Sequence, residues 1–66
     1  MNIRINGRDA AIPEGQSLED FLTLGKFDLK AVVVEVNDRI VPRDQWTALP
    51  LVGGDRLEVV SFVGGG

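Results

Sequence analysis

The sequence predicts an α+β roll: a mixed sheet of about five strands with one short helix packed on one face. Three observations indicate this class. The chain begins with strict apolar–polar alternation, a helical spacing of apolar residues follows a capping signal, and two β-branched runs come later. With 66 residues the chain makes one small domain. We expect a folded domain over residues 1–63 and a flexible glycine tail over 64–66.

The first two strands form a predicted hairpin. Alternation over residues 1–6 places three apolar side chains on the inward face of a half-buried strand, namely Met1, Ile3 and Ile5. Asn6-Gly7 follows, and both residues tolerate the positive φ angles of a two-residue hairpin turn. The return strand is expected over residues 8–12, before Pro13-Glu14-Gly15 breaks it.

A short helix is predicted next. Ser17 is the expected N-cap, and Asp20 stands at the acidic position of a capping box. One face of the helix carries residues at i, i+3, i+4 and i+7, namely Leu18, Phe21, Leu22 and Gly25. Gly25 is expected to supply the left-handed C-terminal conformation, and Lys26 to complement the helix dipole. A helix of about two turns needs a sheet to pack against.

The second half of the chain completes the sheet. Strands are predicted over 31–36, 40–41 and 56–63, with a single helical turn capped by Asp44 before the last of them. Gly53-Gly54-Asp55 is a turn, because it lacks the lysine of a phosphate-binding loop and precedes a strand. Three apolar residues are expected to form a satellite of the core that covers one end of the sheet: Trp46, Leu49 and Leu51. We expect the first and last strands to lie side by side at the centre.

Composition excludes several classes of function. The sequence contains neither cysteine nor histidine, so thiolate chemistry, disulfides and a serine triad at Ser17 or Ser61 are excluded. Five acidic residues could supply a carboxylate pair for acid–base catalysis, namely Asp9, Glu14, Glu19, Asp20 and Asp28. Their placement on a solvated surface is the better explanation. A net charge of −3 disfavours nucleic-acid binding, and no apolar run approaches membrane-spanning length. We therefore expect a cytoplasmic chain that is monomeric when free.

The C-terminal end is the main candidate site. Gly64, Gly65 and Gly66 follow a strand directly, so the terminal carboxylate stands on a thin, flexible arm that a narrow site could admit. A frayed end is the alternative explanation. Alternation in the last strand also puts Val60 and Phe62 on the face away from the helix, where an apolar patch indicates a docking surface. The expected partner-binding residues are Val33, Arg56, Glu58, Val60, Phe62 and Val63.

The chain resembles the ThiS family of ubiquitin-like sulfur carriers of thiamine biosynthesis. The resemblance covers the whole chain and rests on the segment Asn37 to Arg43 (Asn-Asp-Arg-Ile-Val-Pro-Arg), on Trp46, on a Gly-Asp turn and on the terminal glycines. It implies a β-grasp fold. The tail alone is shared with MoaD-type and other ubiquitin-like proteins, whereas the Val-Pro-Arg-x-x-Trp stretch favours the thiamine branch.

The resemblance also implies a mechanism in which this chain is a substrate protein and not an enzyme. A ThiF-like E1 partner would use ATP and magnesium to adenylate the Gly66 carboxylate. Sulfur from a cysteine desulfurase system would then leave a thiocarboxylate, and a ThiG-like thiazole synthase would take that sulfur. The alternatives are a MoaD-like carrier for molybdopterin synthesis, a ubiquitin-like modifier of lysines, and a β-grasp binding module with inert glycines.

Overall fold

A computed structural model of the chain describes residues 1–62. These residues form one five-stranded sheet in the order β2-β1-β5-β3-β4. The elements are β1 Asn2–Ile5, β2 Arg8–Ala11, helix α1 Leu18–Leu24, β3 Val32–Val36, β4 Arg39–Ile40, a 3₁₀ turn Arg43–Gln45, and β5 Arg56–Ser61. Strands β1 and β5 are parallel neighbours, whereas the other strand pairs are antiparallel. The predicted mixed sheet and the central pairing of the first and last strands are confirmed.

The first hairpin turns where the sequence predicts. Asn6 and Gly7 have φ angles of 50° and 81°, and Ile5 pairs with Arg8 across the two-residue turn. Ile3 is the fully buried residue of β1, with Met1 and Ile5 half-buried against the same core. Strand β2 ends at Ala11 instead of residue 12.

Helix α1 begins with the predicted capping box. The Ser17 Oγ accepts a hydrogen bond from the Asp20 N–H at 3.1 Å, and the Asp20 Oδ2 accepts one from the Ser17 N–H at 3.1 Å. Each bond satisfies an N–H that has no partner inside the helix. Leu18, Phe21 and Leu22 are buried against the sheet, as the spacing predicts. Burial of this face stabilises a helix that is too short to be stable alone.

The prediction for the end of α1 is wrong in one detail. Gly25 has an ordinary φ of −77°, and it is Lys26 that takes the left-handed conformation, with φ of 60°. The Lys26 N–H donates to the Thr23 carbonyl at 3.0 Å and the Phe27 N–H to the Leu22 carbonyl at 3.0 Å. This pattern is a Schellman motif that ends one residue later than expected.

Gly25 is required for space and not for its φ angle. A Cβ at this position would lie 2.9 Å from Cε2 of Phe27. The absence of a side chain at Gly25 therefore lets the Phe27 ring fold back over the helix end, where it lies 6.2 Å from the Phe21 ring.

The core is one continuous cluster between α1 and the sheet. Trp46 and Leu51 belong to this main cluster, and Leu49 packs against it, so the separate satellite that the sequence suggested does not form. The Trp46 Nε1 donates to the Val41 carbonyl at 3.0 Å, which satisfies the buried indole N–H. The expectation that Trp46 packs with other apolar residues is confirmed, but within the main core.

The segments around Trp46 differ slightly from prediction. Asp44 lies inside the 3₁₀ turn and does not cap it, because the turn starts after Pro42 with no side-chain hydrogen bond. Strand β3 starts at residue 32 and not 31, and β4 covers Arg39–Ile40 because positive φ angles at Asn37 and Asp38 complete a tight turn before it. The described part of the chain includes no helix with the length and hydropathy needed to cross a membrane.

Candidate functional site

The sheet face away from α1 carries the predicted docking residues. In β5, Leu57 and Val59 are buried under the helix, and the residues that alternate with them, Arg56, Glu58 and Val60, point outward and are exposed. Val60 pairs with Val33 of β3, and Phe62 follows β5 directly with 51% of its surface exposed. We call Val33, Val60 and Phe62 the outer patch.

Two apolar side chains of the outer patch, Val60 and Phe62, are each more than half exposed. Val60 is 59% exposed, and Val33 beside it is half-buried. An apolar group gains roughly 25 cal/mol for each Å² removed from water. A partner that covered Val60 and Phe62 would therefore gain stabilisation that the free chain lacks. The structure brings these residues together at one end of the sheet, and their role in docking stays a prediction.

Charged residues border the outer patch. Glu58 pairs directly with Glu35 across β5 and β3, so two carboxylates stand side by side on the exposed face. Neither takes part in the ion pairs found among residues 1–62, which join Arg56 to Asp38 at 2.8 Å and Arg4 to Asp9 at 3.4 Å. Like charges at directly opposed positions destabilise a sheet. Glu35 was not among the predicted site residues, because its position opposite Glu58 depends on strand register.

The start of β5 is fixed by a buried carboxylate, which the sequence predicts only to be part of a turn. Asp55 is 7% exposed. Its Oδ2 accepts from the Val52 N–H at 2.8 Å, and its Oδ1 accepts from Nδ2 of Asn37 at 2.9 Å. The Asn37 Oδ1 in turn accepts from the Arg56 N–H at 3.0 Å. The turn before β5 is therefore tied to the turn after β3.

A second polar side chain supports β5 further along. The Asn6 side chain reaches Val59, where Oδ1 accepts from the N–H at 2.8 Å and Nδ2 donates to the carbonyl at 3.3 Å. The Asn6 amide thus extends the pairing of β1 with β5 beyond the last backbone pair, Ile5 with Leu57. The local sequence around Asn6 predicts a hairpin turn and gives no sign of this second role.

Three of the five acidic residues that could have formed a catalytic pair have separate structural roles. Asp9 pairs with Arg4, Asp20 caps α1, and Asp28 Oδ1 accepts from the Lys30 N–H at 3.1 Å. No cluster of acidic residues suited to a metal ion occurs within residues 1–62. These positions give no support to an acid–base site in the described part of the chain.

Four of the predicted site residues lie outside the described residues: Val63, Gly64, Gly65 and Gly66. Strand β5 ends at Ser61, and the predicted strand residue Val63 belongs to this undescribed end. The predicted boundary between domain and tail therefore stays a prediction.

Comparison with known proteins places the chain in a family. The model of the ThiS family matches residues 3–66. The chain belongs to the ThiS family. The β-grasp expectation agrees with a crystal structure of ThiS from Geobacter metallireducens, which superposes with a TM-score of 0.88 at 29% identity and with full coverage of both chains.

Two kinds of relative share the sequence. The sulfur carrier protein ThiS of Bacillus subtilis is 31% identical over 65 residues, which cover 97% of this chain and 98% of that protein. The thiazole synthases of Paramagnetospirillum magneticum and Magnetococcus marinus are 35% and 38% identical over the whole chain. The chain spans only 20% of the length of each of these two thiazole synthases.

Proposed function

We propose that this chain is a sulfur carrier of thiamine biosynthesis that holds sulfur on the carboxyl group of Gly66. The observation that carries the proposal is the ThiS family match, which runs through residue 66, together with near-complete coverage of the B. subtilis sulfur carrier. A cytoplasmic location and the absence of any enzymatic activity of its own belong to the same proposal.

The chemistry starts from a poor acyl donor. A carboxylate oxygen of Gly66 attacks the α-phosphorus of ATP in the ThiF-like partner, with magnesium held by that partner, and pyrophosphate leaves. The resulting acyl adenylate is a mixed anhydride with a good leaving group. The terminal sulfur of a persulfide, delivered by a cysteine desulfurase system, attacks the acyl carbon and forms a C–S bond as the C–O bond to AMP breaks. A thiol then cleaves the S–S bond of the resulting acyl disulfide, forms a disulfide with the donor sulfur, and releases the reduced acyl sulfur. The product is a thiocarboxylate, from which a ThiG-like thiazole synthase takes sulfur.

The chain itself contributes an acyl group and a way to present it. It contains no cysteine, so no internal thiol competes for the activated carbonyl. Four residues follow Phe62, and four residues can span at most roughly 13 Å when extended. That reach allows Gly66 to enter a partner's nucleotide site while the sheet stays outside, with Gly64 and Gly65 as the connecting residues.

Docking through the outer patch offsets the cost of ordering the tail. Fixing each backbone residue costs on the order of 1–2 kcal/mol. Apolar contacts at Val60 and Phe62 supply a compensating gain, and the charges of Arg56 and Glu58 orient the partner. Val33 lies on the same surface, opposite Val60. We also propose that Val63, which lies outside the described residues, contacts the partner. One docking surface beside the tail could serve the activating enzyme and the thiazole synthase in turn.

A tail deletion tests the role of Gly66 separately from folding. Removal of Gly65 and Gly66 should abolish ATP–pyrophosphate exchange with the ThiF-like enzyme and leave the urea unfolding midpoint unchanged. Exchange that survived the deletion would refute the proposed function. A lysine-linked adduct on the intact chain would point to a protein modifier instead.

Substitutions on the surface test the docking assignment. Val60→Asp and Phe62→Asp should each weaken binding to the ThiF-like enzyme at least tenfold, a change of about 1.4 kcal/mol. Leu24→Asp is the matched control, because Leu24 is 63% exposed and lies on α1, away from the outer patch. Circular dichroism establishes that each variant is folded. Equal affinity of the outer-patch variants and the control would refute the assignment.

A further inference from the structure

The last residues of β5 are held on one side only. Hydrogen bonds to β3 use alternate residues of β5: the Arg56 carbonyl accepts from the Asn37 N–H at 2.8 Å, and the Phe62 N–H donates to the Ala31 carbonyl at 2.8 Å. The backbone N–H and carbonyl groups of every second residue from Arg56 to Phe62, including those of Val60, therefore face β3. Residues in the opposite phase face β1, as the bond from the Asn6 N–H to the Leu57 carbonyl shows at 2.8 Å.

Strand β1 ends before it reaches Ser61. Its last backbone pair with β5 joins Ile5 to Leu57, and the Asn6 side chain occupies the N–H and carbonyl of Val59. The chain then turns away at Gly7 into β2. The N–H and carbonyl of Ser61 point to the side that β1 has left, and Ser61 is exposed. Among residues 1–62, the end of β5 thus has an open edge on the β1 side.

We infer that this open edge, at Val60, Ser61 and Phe62, receives an extended segment of the thiazole synthase, which adds as a short strand in line with β1. This inference rests on the proposed function. An open strand edge recognises backbone N–H and carbonyl groups at strand spacing, which only an extended peptide supplies. The edge also adjoins Val60 and Phe62, so the added strand would carry apolar side chains over the outer patch.

The similarity to two thiazole synthases favours that enzyme as the source of the segment. Two relatives named thiazole synthase contain a region similar to this whole chain within one polypeptide, which implies a lasting association between the two parts. The open edge is continuous with the outer patch that we assign to partner docking.

Proline at position 61 removes the N–H that the inference needs. Since that N–H does not bond to β3, Ser61→Pro keeps the β3–β5 hydrogen bonds, as proline does at an edge position. Ser61→Ala is the matched control that retains the N–H. Val60→Pro is the contrasting variant. The backbone N–H of residue 60 faces β3, so its loss should unfold the end of the sheet.

The test is binding of these variants to the purified thiazole synthase, with hydrogen exchange as a second readout. Relative to Ser61→Ala, Ser61→Pro should bind about tenfold more weakly, the equivalent of one or two backbone hydrogen bonds. The Ser61 amide of the wild-type chain should exchange fast when free and slowly in the complex, whereas the Val60 amide is slow in both. The exchange measurement needs no substitution, so it decides the question even if Ser61→Pro fails to fold.

Three results would overturn the inference. Equal affinity of folded Ser61→Pro and Ser61→Ala, together with unchanged Ser61 exchange, would show that no strand is added. The proposed function would be unaffected by that result. Protection of Ser61 by the ThiF-like enzyme alone would assign the edge to a different occupant. Complete absence of binding between the wild-type chain and the thiazole synthase would contradict this inference and the thiazole synthase step of the proposed function together.

Discussion

Asp55 offers the sharpest test of how this small domain holds its C-terminal strand in place. Its buried carboxylate accepts two hydrogen bonds, from the Val52 N–H at 2.8 Å and from Nδ2 of Asn37 at 2.9 Å. Hydrogen bonds to a charged group contribute about 1.5–3 kcal/mol each. Asp55→Ala removes both and leaves the part-buried Val52 N–H without its acceptor. We expect it to lower the free energy of unfolding by about 3 kcal/mol.

That loss is large for a domain of this size. A 66-residue chain has a total stability of roughly 3–10 kcal/mol, and 1 kcal/mol shifts the melting temperature by about 4–8 °C. The expected decrease in melting temperature is therefore roughly 12–24 °C. Trp46, the only tryptophan and 3% exposed, provides a fluorescence signal for urea unfolding.

An exchange of the two side chains separates hydrogen bonding from packing. Asp55→Asn alone turns one acceptor into a donor that faces Nδ2 of Asn37, and should cost about 2 kcal/mol. In the double variant Asn37→Asp/Asp55→Asn, the amide introduced at position 55 donates to the carboxylate introduced at position 37, which still accepts from the Arg56 N–H. Aspartate tolerates the left-handed backbone at position 37, where φ is 52°. The double variant should recover at least about 1 kcal/mol of the loss.

Two results would refute this reasoning. If Asp55→Ala changed the free energy of unfolding by less than about 0.5 kcal/mol, the size of an ordinary surface substitution, the carboxylate would not anchor the turn. If the double variant were less stable than Asp55→Asn alone, the hydrogen-bond connectivity described between these two residues would be wrong.

Two further predictions concern local strain and charge. Lys26→Gly should raise the free energy of unfolding by about 0.5–1 kcal/mol, because glycine adopts the left-handed φ of 60° without a Cβ penalty. The adjacent substitution Gly25→Ala should lower the free energy of unfolding, since the added Cβ meets the Phe27 ring. A gain in both variants would contradict the assigned helix end. Glu35→Gln should raise the free energy of unfolding by about 0.2–1 kcal/mol at low salt, because it relieves repulsion from Glu58. The gain should be smaller at high salt. A lower unfolding midpoint, or a gain independent of salt, would argue against the cross-strand repulsion.

Local signals in the sequence were sufficient for much of the fold. The Asn6-Gly7 turn, the Ser17 capping box and the alternation in β1 and β5 depend on residues close together in the chain, and each is confirmed. The helix end differs by one residue from the prediction, because the local pattern assigns the left-handed position to glycine, whereas Gly25 in fact leaves space for the Phe27 ring.

Features that depend on register could not be read from local pattern. Asn37 and Asp55 meet although 18 residues separate them, and Asn6 reaches Val59 across 53 residues. Asp55 resembles an ordinary turn residue in sequence, and only the docking of β5 beside β3 buries it. The pairing of Glu35 with Glu58 likewise follows from strand register. The outer patch could be predicted because alternation along β5 alone assigns Val60 to the exposed face.

The central claim is that Gly66 carries sulfur, and intact-mass measurement of the chain tests it most directly. The chain should be purified from its native host and, separately, after incubation with the ThiF-like enzyme, ATP, magnesium and a sulfur donor. The account predicts replacement of one oxygen by one sulfur, located at Gly66 by fragmentation, and no such change in a chain that lacks Gly65 and Gly66. An unmodified C-terminal carboxylate under both conditions, with the activating enzyme shown to be active, would contradict it.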